Sequence, residues 1–301
     1  LDTENHHAFD SVRGGGYRMY PNLTNAQSYI ATTLTSWTSD GFVVGTDDGV
    51  NKINGEFVSW NWKANGAGSS NTDGSITSTV SVNTTSGFSI VKYVGNASQS
   101  QTVGHGLGVA PKLIIFKSST SADDWSICFP SVLGVDGRLT LNTTAANSIG
   151  DNTFWNSTAP SSTLFSIGNN PRANASGQTI IAYCFAEIPG FSKMGSYEGN
   201  GNANGIFQHL GFKPAWVLIK NTTATEAYFL YDNKRGYNGS MAALFPDETA
   251  ADAFANNIDL LSNGFKLKTA GAILNSNATF IYTAFAAAPL VGSNDIPANA
   301  R

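Results

Sequence analysis

Few side chains in this 301-residue sequence have the spacing that a catalytic or metal site requires. His6 and His7 are adjacent, but a zinc site needs three or four ligands, and no third ligand follows at a useful spacing. We interpret the pair as the start of a strand with one ring exposed. Asp123 and Asp124 could contribute to a calcium site, yet one loop without further carboxylates is weak evidence. We therefore predict no metal site, no cofactor and no catalytic residues.

Two Asp-x-x-Arg pairs recur with a glycine directly behind them, Asp10 with Arg13 and Asp232 with Arg235. Such a pair most simply forms a local ion pair across a turn. A glycosidase would need a second carboxylate facing the first, and no second acid recurs with the pair. Serine is abundant, but no Gly-x-Ser-x-Gly elbow is followed by an Asp and a His in order. We expect a protein that is not an enzyme.

The glycine-rich stretch Gly104–Gly108 is not a nucleotide-binding loop. It lacks the GxGxxG spacing and a following Lys-Ser/Thr, and it precedes a predicted strand, whereas a phosphate loop precedes a helix. We interpret it as a tight turn that needs positive φ angles. His105 and His209 occupy similar places before a Gly-x-x-Pro turn, where a hydrogen bond from the imidazole to the backbone is expected.

The sequence contains internal similarity at a period of about one hundred residues, which is a signature of repeated structural units. Tyr93–Asn96 matches Tyr197–Asn200 as Tyr-x-Gly-Asn. Each turn is followed by Gly-x-x-Pro and, six residues after the proline, by a lysine that closes an apolar run. Half of a further copy precedes them, and the Phe42-to-Trp62 spacing of twenty residues recurs in both later copies. The residues that anchor the comparison are Asp10, Arg13, Gly14, Phe42, Trp62, Pro111, Lys117, Phe165, Phe185, Pro214, Lys220, Asp232, Arg235, Gly236, Phe265 and Phe285.

This comparison predicts five segments. They are a partial first β repeat (1–64), a linker with one added strand (65–86), a second β repeat (87–189), a third β repeat (190–290) and a C-terminal tail (291–301). The linker is the expected domain boundary. Because the first repeat lacks its opening strands, we expect the natural polypeptide to extend before Leu1, or a neighbouring chain to supply those strands. Asp247–Ala255 is the only stretch that looks helical.

Two aromatic residues and two cysteines remain to be interpreted. Trp60 and Trp62 alternate around Asn61, so both should point to one face of a closing strand. Core packing is the first interpretation of this pair, and a sugar-stacking platform is the alternative. Cys128 and Cys184 both fall in the second repeat. We predict two buried free thiols, and a local disulfide is the alternative.

Composition limits the classes of partner. The net charge is −4, and without a basic stripe to neutralise phosphates we expect no nucleic-acid binding. No apolar run approaches the length of a membrane span, so we expect no membrane insertion. Charged residues make up only 13% of the chain, about half of the usual share. Surfaces rich in Gly, Asn, Ser and Thr are common on extracellular β proteins and virion appendages.

These motifs resemble the repeat units of structural proteins from marine bacteriophages, including phages of cyanobacteria. The resemblance is carried by Tyr-x-Gly-Asn, by the Gly-x-x-Pro turn with its strand and lysine, by Asp-x-x-Arg-Gly, by Ser-Asp/Asn-Gly-Phe, and by the stretches Val58–Gly68 and Ala182–Glu187. It covers the chain from His6 to about Leu290. These relatives are mostly predicted tail-fibre or appendage proteins. The resemblance implies a virion protein and supplies no catalytic residues.

Together these observations predict an all-β fold of tandem antiparallel sandwich or jelly-roll-like repeats. The predicted function is that of a phage virion structural protein, a tail fibre or appendage that mediates attachment to the host surface. A capsid-decorating or head-fibre protein and a non-phage extracellular filament adhesin are the alternatives. We expect a virion or extracellular location and a homo-oligomer, with a trimer favoured, that contacts other virion proteins and a host-surface glycan.

Overall fold

The computed structural model describes residues 3–286 and is all-β, as the sequence predicts. The chain divides into two compact units. The first contains the described residues up to Asn142 together with Ser148–Ala186, and the second contains Thr143–Asn147 together with the described residues from Glu187 onward. Within residues 3–286, no helix has the length and apolar character needed to cross a membrane.

The first unit is built from short strands and four single-turn helices. Its strands are β1 Tyr17–Arg18, β2 Ser28–Tyr29, β3 Leu34–Trp37, β4 Phe42–Val44, β5 Ser69–Asn71, β6 Ser78–Asn83, β7 Phe88–Val94, β8 Gln101–Gly104, β9 Leu113–Ser118, β10 Ser126–Cys128, β11 Leu139–Thr140, β12 Leu164–Ile167 and β13 Thr179–Phe185. Its helices are α1 Asp48–Asn51, α2 Pro130–Leu133, α3 Asn152–Trp155 and α4 Pro171–Asn174.

The second unit consists of nine strands among its described residues. They are β14 Ser192–Glu198, β15 Phe207–His209, β16 Pro214–Asn221, β17 Phe229–Tyr237, β18 Ser240–Leu244, β19 Ala253–Ala255, β20 Ile258–Leu261, β21 Gly264–Leu267 and β22 Thr279–Ala286.

Each unit pairs a large antiparallel sheet with a small one. In the first unit the large sheet has the order β11-β10-β9-β13-β7-β6-β5, and β12 pairs with β8. In the second the large sheet has the order β14-β22-β16-β17-β18-β19, and the small one is β15-β21-β20. Apolar residues of both sheets meet in one core in each unit, as in a β-sandwich.

The two large sheets share the order of five strands and their register. The series β11-β10-β9-β13-β7 corresponds to β18-β17-β16-β22-β14. Lys117 lies opposite Ile181 and Lys220 opposite Ile281. The central strands carry buried residues in continuous runs, which indicates a sheet that is covered on both faces.

The Tyr-x-Gly-Asn motif forms the same contacts in both units. The Tyr93 hydroxyl donates to the Ala173 carbonyl at 2.6 Å, and the Tyr197 hydroxyl donates to the Leu274 carbonyl at 2.7 Å. The asparagine N–H that ends each motif donates to a fully buried asparagine, Asn174 or Asn275. The motif therefore fastens the end of β7 or β14 to the loop that precedes the neighbouring strand, β13 or β22.

Three sequence-based expectations fail or change. Asp247–Ala255 is not helical, because the Asp247 carboxylate accepts the Tyr228 N–H at 3.1 Å and Ala253–Ala255 pairs with β18 as β19. Trp60 and Trp62 do not lie in a strand. The Trp62 ring packs edge-on against Phe185 at 6.0 Å, so its position is set by a side chain on β13 and not by strand pairing.

The predicted linker 65–86 supplies two strands, β5 and β6, to the edge of the large sheet. No boundary between compact units falls there, because β6 pairs with β7 along its whole length. The observed division instead follows Ala186. The predicted tail 291–301 lies outside the described residues.

Glycine within the Tyr-x-Gly-Asn motif is required by a close approach of two backbones. A Cβ at Gly199 would lie 1.9 Å from the Ser276 carbonyl oxygen. We predict that Gly199→Ala lowers the free energy of unfolding by about 1–3 kcal/mol, the usual effect of overpacking. Gly271→Ala is the control, since its nearest neighbour would be 3.2 Å away. Urea unfolding of both variants measures the difference, and equal stabilities would contradict the close-approach argument.

Candidate functional site

A buried lysine at the end of β9 organises the first unit. Lys117 is fully buried, and its Nζ lies 2.9 Å from the carbonyl oxygen of Thr24, 2.8 Å from that of Asp123 and 3.5 Å from that of Ser121. An ammonium removed from water is costly unless hydrogen-bond acceptors replace its hydration. Burial lowers the pKa of Lys117 to about 8, so the side chain is still mostly an ammonium at neutral pH. The three carbonyl groups take the place of water around that charge.

The second unit contains the same arrangement at the end of β16. Lys220 is fully buried, and its Nζ donates to the Thr144 carbonyl at 2.8 Å and to the Glu226 carbonyl. Burial lowers the pKa of Lys220 to about 8. We call each lysine with its carbonyl acceptors a lysine pocket.

In both pockets one acceptor comes from a loop that precedes the lysine strand in the chain. Loop 1 (Pro21–Gln27) supplies Thr24, and loop 2 (Leu141–Asn147) supplies Thr144. The threonine carbonyl also accepts a backbone N–H beside the pocket, from Asp123 at 2.8 Å or Glu226 at 3.0 Å. Three residues after the threonine, Gln27 or Asn147 donates its N–H to a carbonyl group beside the lysine strand. That carbonyl group belongs to Ser119 or Thr222, two residues after the lysine. Each loop is thus held by main-chain groups.

The loops are shaped by an asparagine near their start. The Asn142 side-chain oxygen accepts the Trp125 N–H at 2.8 Å, and the Asn22 oxygen accepts the His6 N–H at 3.1 Å. Asp247 takes the equivalent position in loop 3 (Pro246–Asp252), where it accepts the Tyr228 N–H at 3.1 Å. All three loops begin with the same three-residue turn, which is followed by four residues without regular secondary structure.

The recurring Asp-x-x-Arg pairs are local ion pairs, as predicted. Arg13 Nε donates to Asp10, and Arg235 Nε donates to Asp232 at 2.7 Å. Each aspartate also accepts the N–H of its own arginine. Asp10 additionally accepts the Tyr183 hydroxyl at 2.7 Å. These carboxylates are occupied by the hydrogen bonds of their turns.

The residues considered as metal ligands do not lie together in a site. Asp124 pairs with Arg172 at 2.6 Å and Asp123 with the same guanidinium at 3.7 Å. His7 packs edge-on against Tyr20, and burial lowers its pKa to about 4. Within residues 3–286, no three His, Cys, Asp or Glu side chains are grouped to share a metal ion.

Other predicted residues have structural positions. The His105 Nδ1 accepts the Leu107 N–H at 3.2 Å and its Nε2 lies 3.2 Å from the Ser161 carbonyl, which requires a neutral ring with the proton on Nε2. Gly106 and Gly108 have φ angles of 73° and 74°, as the tight turn requires. Cys128 and Cys184 are buried free thiols, as predicted, and burial raises the pKa of each.

The other residues that anchor the comparison of the repeats differ in how deeply they are buried. Phe165 and Phe265 are buried in the two sandwich cores, and Phe185 and Phe285 are buried where they pair with β9 and β16. Pro111, which precedes β9, and Pro214, the first residue of β16, are buried as well. Phe42, in β4, is only half-buried. Gly14 and Gly236 adopt φ angles of 92° and 105°.

A polar cleft in the first unit is the best candidate for a binding site. Its volume is about 470 Å³, and hydroxyl groups predominate among its lining side chains. The polar residues that line it are Arg13, Tyr17, Gln27, Ser70, Thr77, Ser78, Thr79, Lys92, Tyr93, Ser119, Thr120 and Thr179. Lys92 is half-buried and forms no ion pair with any residue that the structure describes. Gln27 Oε1 is buried without a hydrogen-bond partner among those residues.

The lining of the cleft consists of hydroxyl, amide and cationic side chains with a few apolar ones. No carboxylate, histidine or cysteine is among the residues that line it. Hydroxyl donors and acceptors around one ammonium suit a polar ligand with a negative charge. Sequence reasoning missed this site because its residues come from five strands and from several of the loops beside them. The Asn/Asp-x-Thr spacing shared by the three loops, by contrast, was present in the sequence.

We predict that Lys220→Met lowers the free energy of unfolding by about 1–3 kcal/mol, because the Glu226 carbonyl group loses its donor and the Thr144 carbonyl group keeps only one of its two donors. The matched control is Lys213→Met, which removes an exposed lysine seven residues earlier on the same segment. Guanidinium unfolding of both variants measures the difference. Equal effects would contradict a role for the lysine pocket in stability.

A second prediction concerns Asp247, whose pKa burial raises from 3.8 to about 6. Between these values the folded state holds a proton that the unfolded state has lost, so stability falls as the pH rises through this window. Asp247→Asn keeps the acceptor oxygen and removes the charge, as Asn22 and Asn142 do. We expect it to stabilise the protein by about 1 kcal/mol at pH 7 and to have little effect below pH 4. Thermal unfolding across this pH range measures the effect, and a gain independent of pH would contradict it.

Comparisons with known proteins identify a family but no characterised relative. No curated protein and no solved structure matches the chain. A family described as a domain of unknown function (DUF7483) matches residues 1–289. The chain belongs to this family, DUF7483.

Proposed function

We propose that this chain is a structural protein of a phage virion, a tail fibre or appendage that mediates attachment to the host surface. The observation that carries the proposal is the lysine pocket, which joins a loop to a later strand by the same contacts in both units. Contacts of one kind that recur along the chain suit a structural protein that must resist mechanical force. The motifs shared with marine phage structural proteins support the same assignment.

The polar cleft supplies a site for attachment. A hydroxyl-rich cleft with one unpaired ammonium fits a sugar that bears a carboxylate or sulfate, of the kind found on bacterial surfaces. A single cleft of this type binds weakly, because much of its polar surface is hydrated before binding. Several copies on one particle would turn weak single contacts into firm attachment. The proposed assembly is a homo-oligomer, with a trimer favoured.

The location of the protein is tested on the particle. A cryo-EM map of the virion that carries this chain, combined with labelling by antibodies against it, should place the protein at the tail with the cleft accessible. Density on the capsid lattice would assign it to the decorating class instead. Absence of the chain from purified particles would overturn the virion assignment.

Attachment is tested separately. We predict that Lys92→Gln reduces binding to acidic polysaccharide at least tenfold, the change expected when an ionic contact worth about 1.4 kcal/mol is lost. The control is Lys112→Gln, which removes an exposed lysine of the same unit outside the cleft. Both variants should keep the wild-type melting temperature. Equal binding by the two variants in a glycan-immobilised assay would contradict the role of the cleft.

A further inference from the structure

Loop 3 has the same form as the two loops that fill lysine pockets. In each case the hairpin that carries the loop pairs residues ten apart, Arg18 with Ser28, Arg138 with Ser148, and Ala243 with Ala253. The turn lies at the same position in all three, at residues 21–23, 141–143 and 246–248. The threonine whose carbonyl enters the pocket in loops 1 and 2 is Thr249 in loop 3.

Loop 3 nevertheless fills no pocket among the described residues. Thr24 and Thr144 each present a carbonyl to a lysine and to a backbone N–H. Thr249 is exposed, and neither its carbonyl group nor its side chain has a hydrogen-bond partner among residues 3–286. Both lysine pockets described above are already occupied by loops 1 and 2.

We propose that loop 3 is a docking element for the lysine pocket of another β repeat of this type on a separate polypeptide. The contacts would repeat those at Lys117 and Lys220: the Thr249 carbonyl accepts from the partner's lysine and from a backbone N–H beside it. The two filled pockets in this chain are the evidence for the occupant. They show which surface this loop form fits.

The charge of loop 3 specifies the partner further. Loop 3 carries Asp247, Glu248 and Asp252, whereas the corresponding positions of loops 1 and 2 hold no charged residue. The three carboxylates give loop 3 a formal charge of −3 from its own residues, and one of them, Asp252, pairs with Arg235 at 3.4 Å. Since like charges at an interface are repelled and opposite charges favoured, the partner's pocket should be more basic than those at Lys117 and Lys220.

The test uses the full chain with one pocket opened. In the open-pocket variant, residues 21–27 are replaced by a two-residue Asn-Gly turn, which is too short to bring any backbone carbonyl group to Lys117. Sedimentation velocity in about 0.5 M salt, which screens exposed charges beyond a few ångström, then detects association. We expect concentration-dependent head-to-tail oligomers, in which loop 3 of one molecule enters the open pocket of the next.

The control carries the same open pocket and has residues 246–252 replaced by the same two-residue turn, which removes the carbonyl group of position 249. It should remain at the association state of the wild-type chain. Association that persists in this control, or an open-pocket variant that folds and does not associate, would overturn the proposal. Neither outcome depends on where the protein lies on a particle.

A second variant keeps the test decisive if the open-pocket chain fails to fold. Residues 21–27 are replaced by residues 246–252, which places the loop 3 sequence in the Lys117 pocket of its own chain. We expect a melting temperature within about 4 °C of the wild type, equivalent to a small change in stability for a protein of this size. A transplant that fails to fold, or whose melting temperature falls by more than about 4 °C, would mean that loop 3 does not fit a lysine pocket.

Discussion

The structure depends on the burial of two lysine ammonium groups and on what solvates them. Lys117 and Lys220 end the central strands of the two large sheets, and both are fully buried. A buried ammonium needs acceptors in place of water, and each lysine finds one of them on a loop earlier in the chain. This requirement couples the end of a strand to a distant hairpin. The acceptors are all backbone carbonyl groups, so the identity of the side chains in the loop matters little for this contact.

The same requirement connects the fold to its proposed assembly. A loop that satisfies a buried lysine within the chain can satisfy one in another molecule, since main-chain hydrogen bonds do not distinguish the two cases. Loop 3 presents such a carbonyl to solvent among the described residues. The polar cleft is a separate surface in the first unit. Assembly and ligand binding would therefore use different groups and can be altered independently by substitution.

Much of the fold could be predicted from local pattern. Apolar β-rich runs between glycine, asparagine and proline turns predict an all-β chain, and the Asp-x-x-Arg pairs and the glycine-rich turn at Gly106 form as expected. The prediction of a helix at Asp247–Ala255 was wrong, although acidic and alanine residues favour a helix in isolation. Strand pairing with β18 and the hydrogen bond from Tyr228 override that preference. The prediction of a strand at Trp60 and Trp62 was wrong because aromatic residues two positions apart also occur outside sheets.

The sequence by itself determined the positions of most turns, of the long apolar strands and of the two lysines that close them, because these depend on backbone preference and on apolar runs within a few residues. Tertiary structure decided which groups meet. It brought Thr24 to Lys117 across 93 residues, added β5 and β6 to the first sheet, and collected the hydroxyl groups of the cleft from separate strands. Such contacts join residues far apart in the chain, and their formation depends on register and packing that no local spacing encodes.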